Sequence, residues 1–261
     1  MSRSSRHRFA GATVVASSLL AACSASAQVV GTDSFARPRR AFESPQRFAL
    51  EARFGAFWPA VDSDPALNGS TPFADIYGTS PQLMAGAEFE WEALRIPHLG
   101  SFGPGLGAAY MKATAKAKFT TPHNGETTSG EDTSLEIIPF YLVAVLRVDV
   151  LWRDYHVPLV PWVKAGLGDA LWRASNTLGT SSYNSVSGEG HSVGTHFALG
   201  LGLNLGFLDP DTAREFDNSL GVNGTYLFAE WTREDLVGLG TQSDPLRVGG
   251  TEWTFGLAME F

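Results

Sequence analysis

His196 follows closely on Ser192 and Thr195, so an imidazole base and a hydroxyl nucleophile could meet there. A serine-rich segment supplies such neighbours by chance, however, and nothing marks a third partner. The other histidines past residue 27 are His98, His123, His156 and His191. His191 and His196 are too far apart, in a glycine-containing segment, to argue for a metal. Asp62, Asp64 and Asp75 could hold a hard cation such as calcium through their carboxylates, but a solvated acidic loop accounts for them more simply. No H-E-x-x-H or phosphate-binding loop occurs. The sequence therefore predicts no catalytic residue, no cofactor site and no metal site, and the chain is expected not to be an enzyme.

The remaining charges fall into a pattern. Glu51, Arg53, Glu88, Glu90, Glu92, Lys112, Lys116, Lys118, Lys164, His196 and Glu260 alternate with larger apolar residues and share a phase with glycines and small residues. In a strand, alternate residues point to opposite faces. Eight segments show or permit this period. They run from Arg47 to Trp58, Gln82 to Ala93, Gly105 to Phe119, Ser134 to Asp149, Leu159 to Arg173, Gly194 to Leu208, Ser219 to Trp231 and Gly249 to Phe261. The second is the cleanest, with Leu83, Ala85, Ala87, Phe89 and Trp91 against Met84, Gly86, Glu88, Glu90 and Glu92. A tilted membrane strand needs about 9–11 residues, which each segment supplies. Connections after the even strands read as short and those after the odd strands as long and polar, the asymmetry of bacterial outer-membrane barrels.

These features predict an all-β fold: a closed antiparallel up-and-down transmembrane β-barrel of 8 strands. Its apolar face points outward. Eight strands enclose a lumen that side chains nearly fill, so charges of both signs are expected to pair inside. Arg53 and Glu88 are expected to approach each other across the first two strands, with Lys112, Lys116 and Lys118 near the outer mouth. Trp58, Trp91, Trp152, Trp172, Trp231 and Trp253, with Tyr77, Tyr155 and Tyr226, suggest interfacial girdles.

The chain ends suit export. Arg3, Arg6 and Arg8 precede an apolar run to Ala22, and Ala25-Ser26-Ala27 forms a cleavage pattern. Residues 1–27 thus read as a secretory signal, 28–46 as a flexible periplasmic lead-in and 47–261 as the barrel. Leu20-Ala21-Ala22-Cys23 also has the form of a lipoprotein box. Cleavage after Ala27 is favoured, because a barrel holds itself in the membrane without a lipid. It would remove the chain's one cysteine, leaving stability to the fold alone. It would also move the formal charge from -8 to about -11, since three arginines and no acid are lost. Such an acidic chain, without a basic stripe, argues against nucleic acid as a partner. The strand ending in Phe261 resembles the C-terminal signal by which the barrel-assembly machinery recognises outer-membrane barrels.

Ile138 to Asp149, then Val157-Pro158-Leu159-Val160-Pro161-Trp162-Val163-Lys164-Ala165-Gly166, then Gly221 to Glu230 and the final strand, together resemble a family of outer-membrane β-barrel proteins of myxobacteria and related Gram-negative bacteria. The resemblance covers about half the chain. It implies location in the cell outer membrane, with no assigned activity. The expected role is structural or surface-interacting through four outer loops, as a monomer amid outer-membrane lipids and lipopolysaccharide. A narrow ion- or solute-conducting barrel is the alternative. A soluble lipocalin-like carrier fits less well, since Gly55-Ala56-Phe57-Trp58 does not match the Gly-x-Trp that usually opens that fold.

Overall fold

The computed structural model describes residues 46–123, 126–183, 186–240 and 246–261. The signal, Cys23 and nearly all of the lead-in lie outside the described residues. Period-two alternation produces eight long strands: β1 (Phe48–Phe57), β2 (Gln82–Trp91), β3 (Gly100–His123), β4 (Glu126–Arg147), β5 (Leu159–Asn176), β6 (Glu189–Asn204), β7 (Gly224–Leu236) and β8 (Gly250–Glu260). Each pairs antiparallel with the next. β8 then returns to β1, with Ala49 opposite Glu260 and Ala56 opposite Trp253. The sheet is therefore a closed up-and-down barrel of eight strands. Closure leaves no unpaired edge over the height that all eight strands share. Phe48 and Glu260 mark one mouth, here the proximal mouth; Phe57 and Gly250 mark the distal one. Among the described residues no helix is long and apolar enough to cross a membrane.

The side chains are sorted inside out. Along β1 the burial alternates strictly, with Phe48, Leu50 and Phe54 open on the outer wall and Glu51 and Arg53 enclosed. Leu83, Leu106, Leu142, Leu167, Leu201, Leu227, Trp253 and Phe255 continue that wall. The interior is layered. Near the distal mouth Met84, Met111, Leu135, Ile137, Leu236 and Val248 pack with Phe57, Val61 and Phe73. Val61 and Phe73 come from the β1–β2 connection, which folds inward over the mouth through helix α1 (Pro72–Tyr77). Near the proximal mouth Val160, Trp162, Tyr226, Phe228 and Ala258 form a second apolar cluster, with Trp152 of the one-turn helix α2 (Val150–Arg153) packed on it.

Several sequence expectations need correction. Lys112, Lys116 and Lys118 face outward, not into the lumen. Met111 and Ala113 occupy the inward phase, where they pack in the distal cluster. The sixth strand stops at Asn204, whose side chain accepts from the Gly206 amide at 2.8 Å and starts a short 3-10 turn. The seventh begins at Gly224, because helix α3 (Pro210–Leu220) occupies the stretch before it. Connection length does not follow parity. The proximal connection 205–223 is longer than the distal connection 237–249, and β3 and β4, at 24 and 22 residues, absorb most of the expected third outer loop. The aromatic girdle is smaller than expected. Trp91, Trp253 and Tyr155 are open, and Trp231 faces out beside Trp253. Tyr226, Trp58, Trp172, Tyr77 and Trp152 pack inward instead.

Candidate functional site

The middle of the lumen is a column of buried ion pairs. Two-residue spacing places Glu51 and Arg53 of β1, and Glu88 and Glu90 of β2, on the inner face. β5 adds Lys164, β4 adds Tyr141 and Arg147, β7 adds Glu230 and β8 adds Glu260. Register sets Glu51 directly opposite Glu88, a like-charge pairing that destabilises a bare sheet. Lys164 resolves it. Its Nζ stands 2.9 Å from Glu51, 3.0 Å from Glu88, 3.0 Å from Glu90 and 3.2 Å from Glu230. Arg53 lies 2.6 Å from Glu51, 2.9 Å from Glu88 and 3.1 Å from Glu230. The expected approach of Arg53 and Glu88 is thus present. Arg147 closes the proximal end, 2.7 Å from Glu90 and 3.0 Å from Glu51, with its guanidinium 4.6 Å from the Trp162 ring centre.

Aromatic hydroxyl and indole donors complete the column. Tyr141 donates to Glu88 at 2.7 Å, Trp162 to Glu230 at 2.7 Å and Tyr226 to Glu260 at 2.7 Å. Glycines on neighbouring strands make room for these rings. Gly107 is paired with Tyr141 and Gly200 with Trp162, and a Cβ on either glycine would overlap the ring. The rings therefore lie close over the adjacent strand.

The carboxylates of Glu51, Glu88 and Glu90 converge as metal ligands would. The Lys164 ammonium already fills that place, in contact with all three. Among the described residues, seven buried glutamates face Arg53, Arg147, Lys164 and His196, so the interior is biased against anions. Burying charges costs several kcal/mol per ion unless they are well paired. The multiple short contacts of Arg53, Arg147 and Lys164 offset part of that cost.

The residues whose types could support catalysis are dispersed. His196 is buried, 2.9 Å from Glu234 through Nδ1 and stacked on Tyr141 at 3.9 Å. Ser192 instead donates to the Leu246 carbonyl at 2.6 Å, and Thr195 lies on the outer wall. Gly190-His191-Ser192-Val193-Gly194 has the form of a G-x-S-x-G nucleophile motif. It lies within β6 rather than at the strand-to-helix turn such a nucleophile needs, and His191 points away from Ser192, towards Asp169 at 3.1 Å on the outer wall. His98 is exposed, 3.4 Å from Asp154, and His156 sits in the proximal connection after α2. His123 ends β3. Asp62 accepts from the Phe73 and Ala74 amides at 2.7 and 2.8 Å, and Asp64 accepts from Ala66 at 2.9 Å. These acids cap helices and do not converge on a cation. Asp75 lies 3.4 Å from Thr71 in the first turn of α1.

A belt of outward ion pairs bounds the apolar wall on the distal side. It comprises Lys112–Glu136 at 2.8 Å, Lys116–Asp132 at 2.7 Å, Asp169–His191 at 3.1 Å and Arg233–Asp235 at 3.3 Å. An apolar exterior, a charged interior and a polar rim together are the arrangement of a membrane-spanning barrel.

No family model and no curated protein matches the chain, so the resemblance to the myxobacterial family is not borne out at that level. Solved structures with a similar fold include OprG, an outer membrane protein of Pseudomonas aeruginosa, at 12% identity and TM-score 0.45, covering 83% of this chain and 96% of that one. Neisserial surface protein A is similar at 10% identity and TM-score 0.42, covering 83% and 97%. Ail, the attachment invasion locus protein of Yersinia pestis, is similar at 10% identity and TM-score 0.41, also covering 83% and 97%. At these values the likeness carries no argument about activity, and the barrel assignment rests on the strand pairing of this chain itself.

Proposed function

We propose that this chain is a non-enzymatic integral barrel of the bacterial outer membrane, of the myxobacterial type, acting structurally or through its outward-facing connections rather than by conducting solutes. The observation that carries this reading is the filled lumen. An ion-pair column and two apolar clusters occupy its height, and α1 and its flanking residues fold over the distal mouth. Engagement of the Ser192 hydroxyl by the Leu246 carbonyl, and of His196 by Glu234, supports the non-enzymatic part. The proximal mouth is periplasmic in this reading and the distal connections face the surroundings. The exterior contacts outer-membrane lipid, with lipopolysaccharide against the charged distal belt. The assembly machinery engages β8 and Phe261, and the barrel works as a monomer. Fractionation followed by gel electrophoresis of boiled and unboiled samples tests location and closure, and planar-bilayer recording tests conduction. A heat-modifiable outer-membrane band with no steady conductance is expected. A periplasmic, heat-insensitive protein would overturn the membrane reading. Stable unitary currents would overturn the non-conducting part.

A further inference from the structure

Helix α3 is specified at both ends yet supported by little in between. Asp209 caps its N-terminus, accepting from the Asp211 and Thr212 amides at 3.2 and 3.1 Å, with Pro210 in the first turn. Gly221 closes the other end in the left-handed region, at φ 71°, and its amide reaches the Asp217 carbonyl at 2.9 Å. None of the helix's 11 residues is buried. A helix this short is marginal in water on propensity and caps alone, and draws most of its stability from packing an apolar face. Ala213, Phe216 and Leu220 fall at helical spacing on one stripe. Ala213 lies near Gly206, but Phe216 and Leu220 are open, at 47% and 64% exposure, as are Phe207 and Leu208 just before the helix.

We infer that α3 is a membrane-interfacial helix, with Phe207, Leu208, Phe216 and Leu220 seated in the phospholipid of the leaflet at the proximal mouth. The inference rests on the membrane reading proposed above. Its ground is continuity: the segment joins the proximal ends of β6 and β7, whose outward Leu199, Leu201 and Leu227 belong to the exposed apolar wall. The patch therefore extends a surface that lipid already covers. Charge narrows the mode of contact. The helix carries Asp211, Glu215 and Asp217 against Arg214, which pairs with Asp211 at 2.7 Å. An acidic polar face gains nothing from anionic headgroups, so apolar burial drives the seating.

Single-cysteine variants test this in the full-length barrel, in a Cys23→Ser background because Cys23 is the chain's one cysteine. Leu220→Cys, Asp211→Cys and Leu201→Cys are each labelled with an environment-sensitive fluorophore and reconstituted in phosphatidylcholine vesicles. The lipids carry bromine either near the acyl carbonyls or near the bilayer centre. Position 220 is expected to be quenched most by the shallow bromines, position 201 by both sets and position 211 by neither, with little change at high salt. Quenching at 220 no greater than at 211, with 201 strongly quenched, overturns the inference and leaves the barrel reading standing. A blue-shifted but unquenched label at 220 also overturns it, assigning the patch to a protein surface or a second copy. An unquenched label at 201 removes the membrane reading and the inference with it.

Discussion

At the level of single residues, the interior turns on Lys164. It is fully buried and touches four glutamates, so its loss strands like charges close together, the carboxylates of Glu51, Glu88 and Glu90 lying within 4.8 Å of one another. Removing one partner of a buried ion network costs about 3–5 kcal/mol. Lys164→Met is expected to lose that much in denaturant unfolding from vesicles. Adding Glu51→Gln is expected to return part of it, because one stranded charge is then removed. The outer wall gives the opposite test. Leu199 faces out in the middle third of β6, across from Val163 and Trp231. Leu199→Arg is expected to cost about 2–4 kcal/mol in lipid. An unchanged midpoint would mean that the wall does not contact hydrocarbon. Much of this chemistry was legible in the sequence, since Glu51, Arg53, Glu88, Glu90, Lys164, His196 and Glu260 all occupy the phase read for them. Arg147 and Glu230 were not. β4 is greasy on both faces, with Ile138, Phe140 and Leu142 outside and Ile137, Tyr141 and Val143 inside, and therefore shows no period by which to assign Arg147. Glu230 was accessible in principle, two residues after the inward Phe228 and four after Tyr226. The lysines of β3 were misassigned because alanines there fill the inner phase that glycines and charges fill elsewhere.

At the level of elements, strand existence was readable and strand ends were not. Side-chain alternation continues past the height needed to cross a membrane, so β3 and β4 run on where turn residues suggested loops. α3 was missed even though Asp209-Pro210 and Gly221 are start and stop signals. The same residues also read as a turn, and apolar residues only at 213, 216 and 220 give a weak helical stripe. The Asp209 carboxyl is held below the usual carboxylate range by the Thr212 hydroxyl and amide and by the Asp211 amide. A depressed folded value means that the cap contributes fully above the ordinary aspartate range and is lost as pH falls through the folded value. Hydrogen exchange in α3 is therefore expected to show fraying on acidification, and Asp209→Ala to show the same fraying at neutral pH. Protection equal to the parent at neutral pH would remove the cap from the account.

For the whole molecule, closure depends on the seam between β8 and β1. The Phe261 amide donates to the Phe48 carbonyl at 2.8 Å, and its own carbonyl accepts from Arg47 and Phe48 at 2.7 and 3.1 Å. Phe261→Asp is expected to lower the heat-modifiable fraction sharply by replacing the aromatic end of β8 with a charge, the backbone bonds of the seam being unaltered by the side chain. Normal levels of closed barrel would refute it. The fold class itself followed from composition and alternation, because sorting greasy side chains outward and charges inward leaves few architectures available. What the lumen holds at each height depended on register, which one sequence does not fix.

The long hairpin has one more consequence. β2 pairs with β3 only as far as Met84 opposite Met111, so past that point β2 no longer covers that margin of β3. Such a margin is a template for sheet growth between molecules. Lys112, Lys116 and Lys118 stand along that stretch, and the pairing of β3 with β4 is interrupted by register shifts on either side of Lys118. Charge and irregularity together keep the margin unattractive. Replacing the three lysines with threonine is expected to leave the barrel folded and drive edge-to-edge association, visible as larger species in detergent by light scattering. A population that stays monomeric would show that the lysines have no such guarding role.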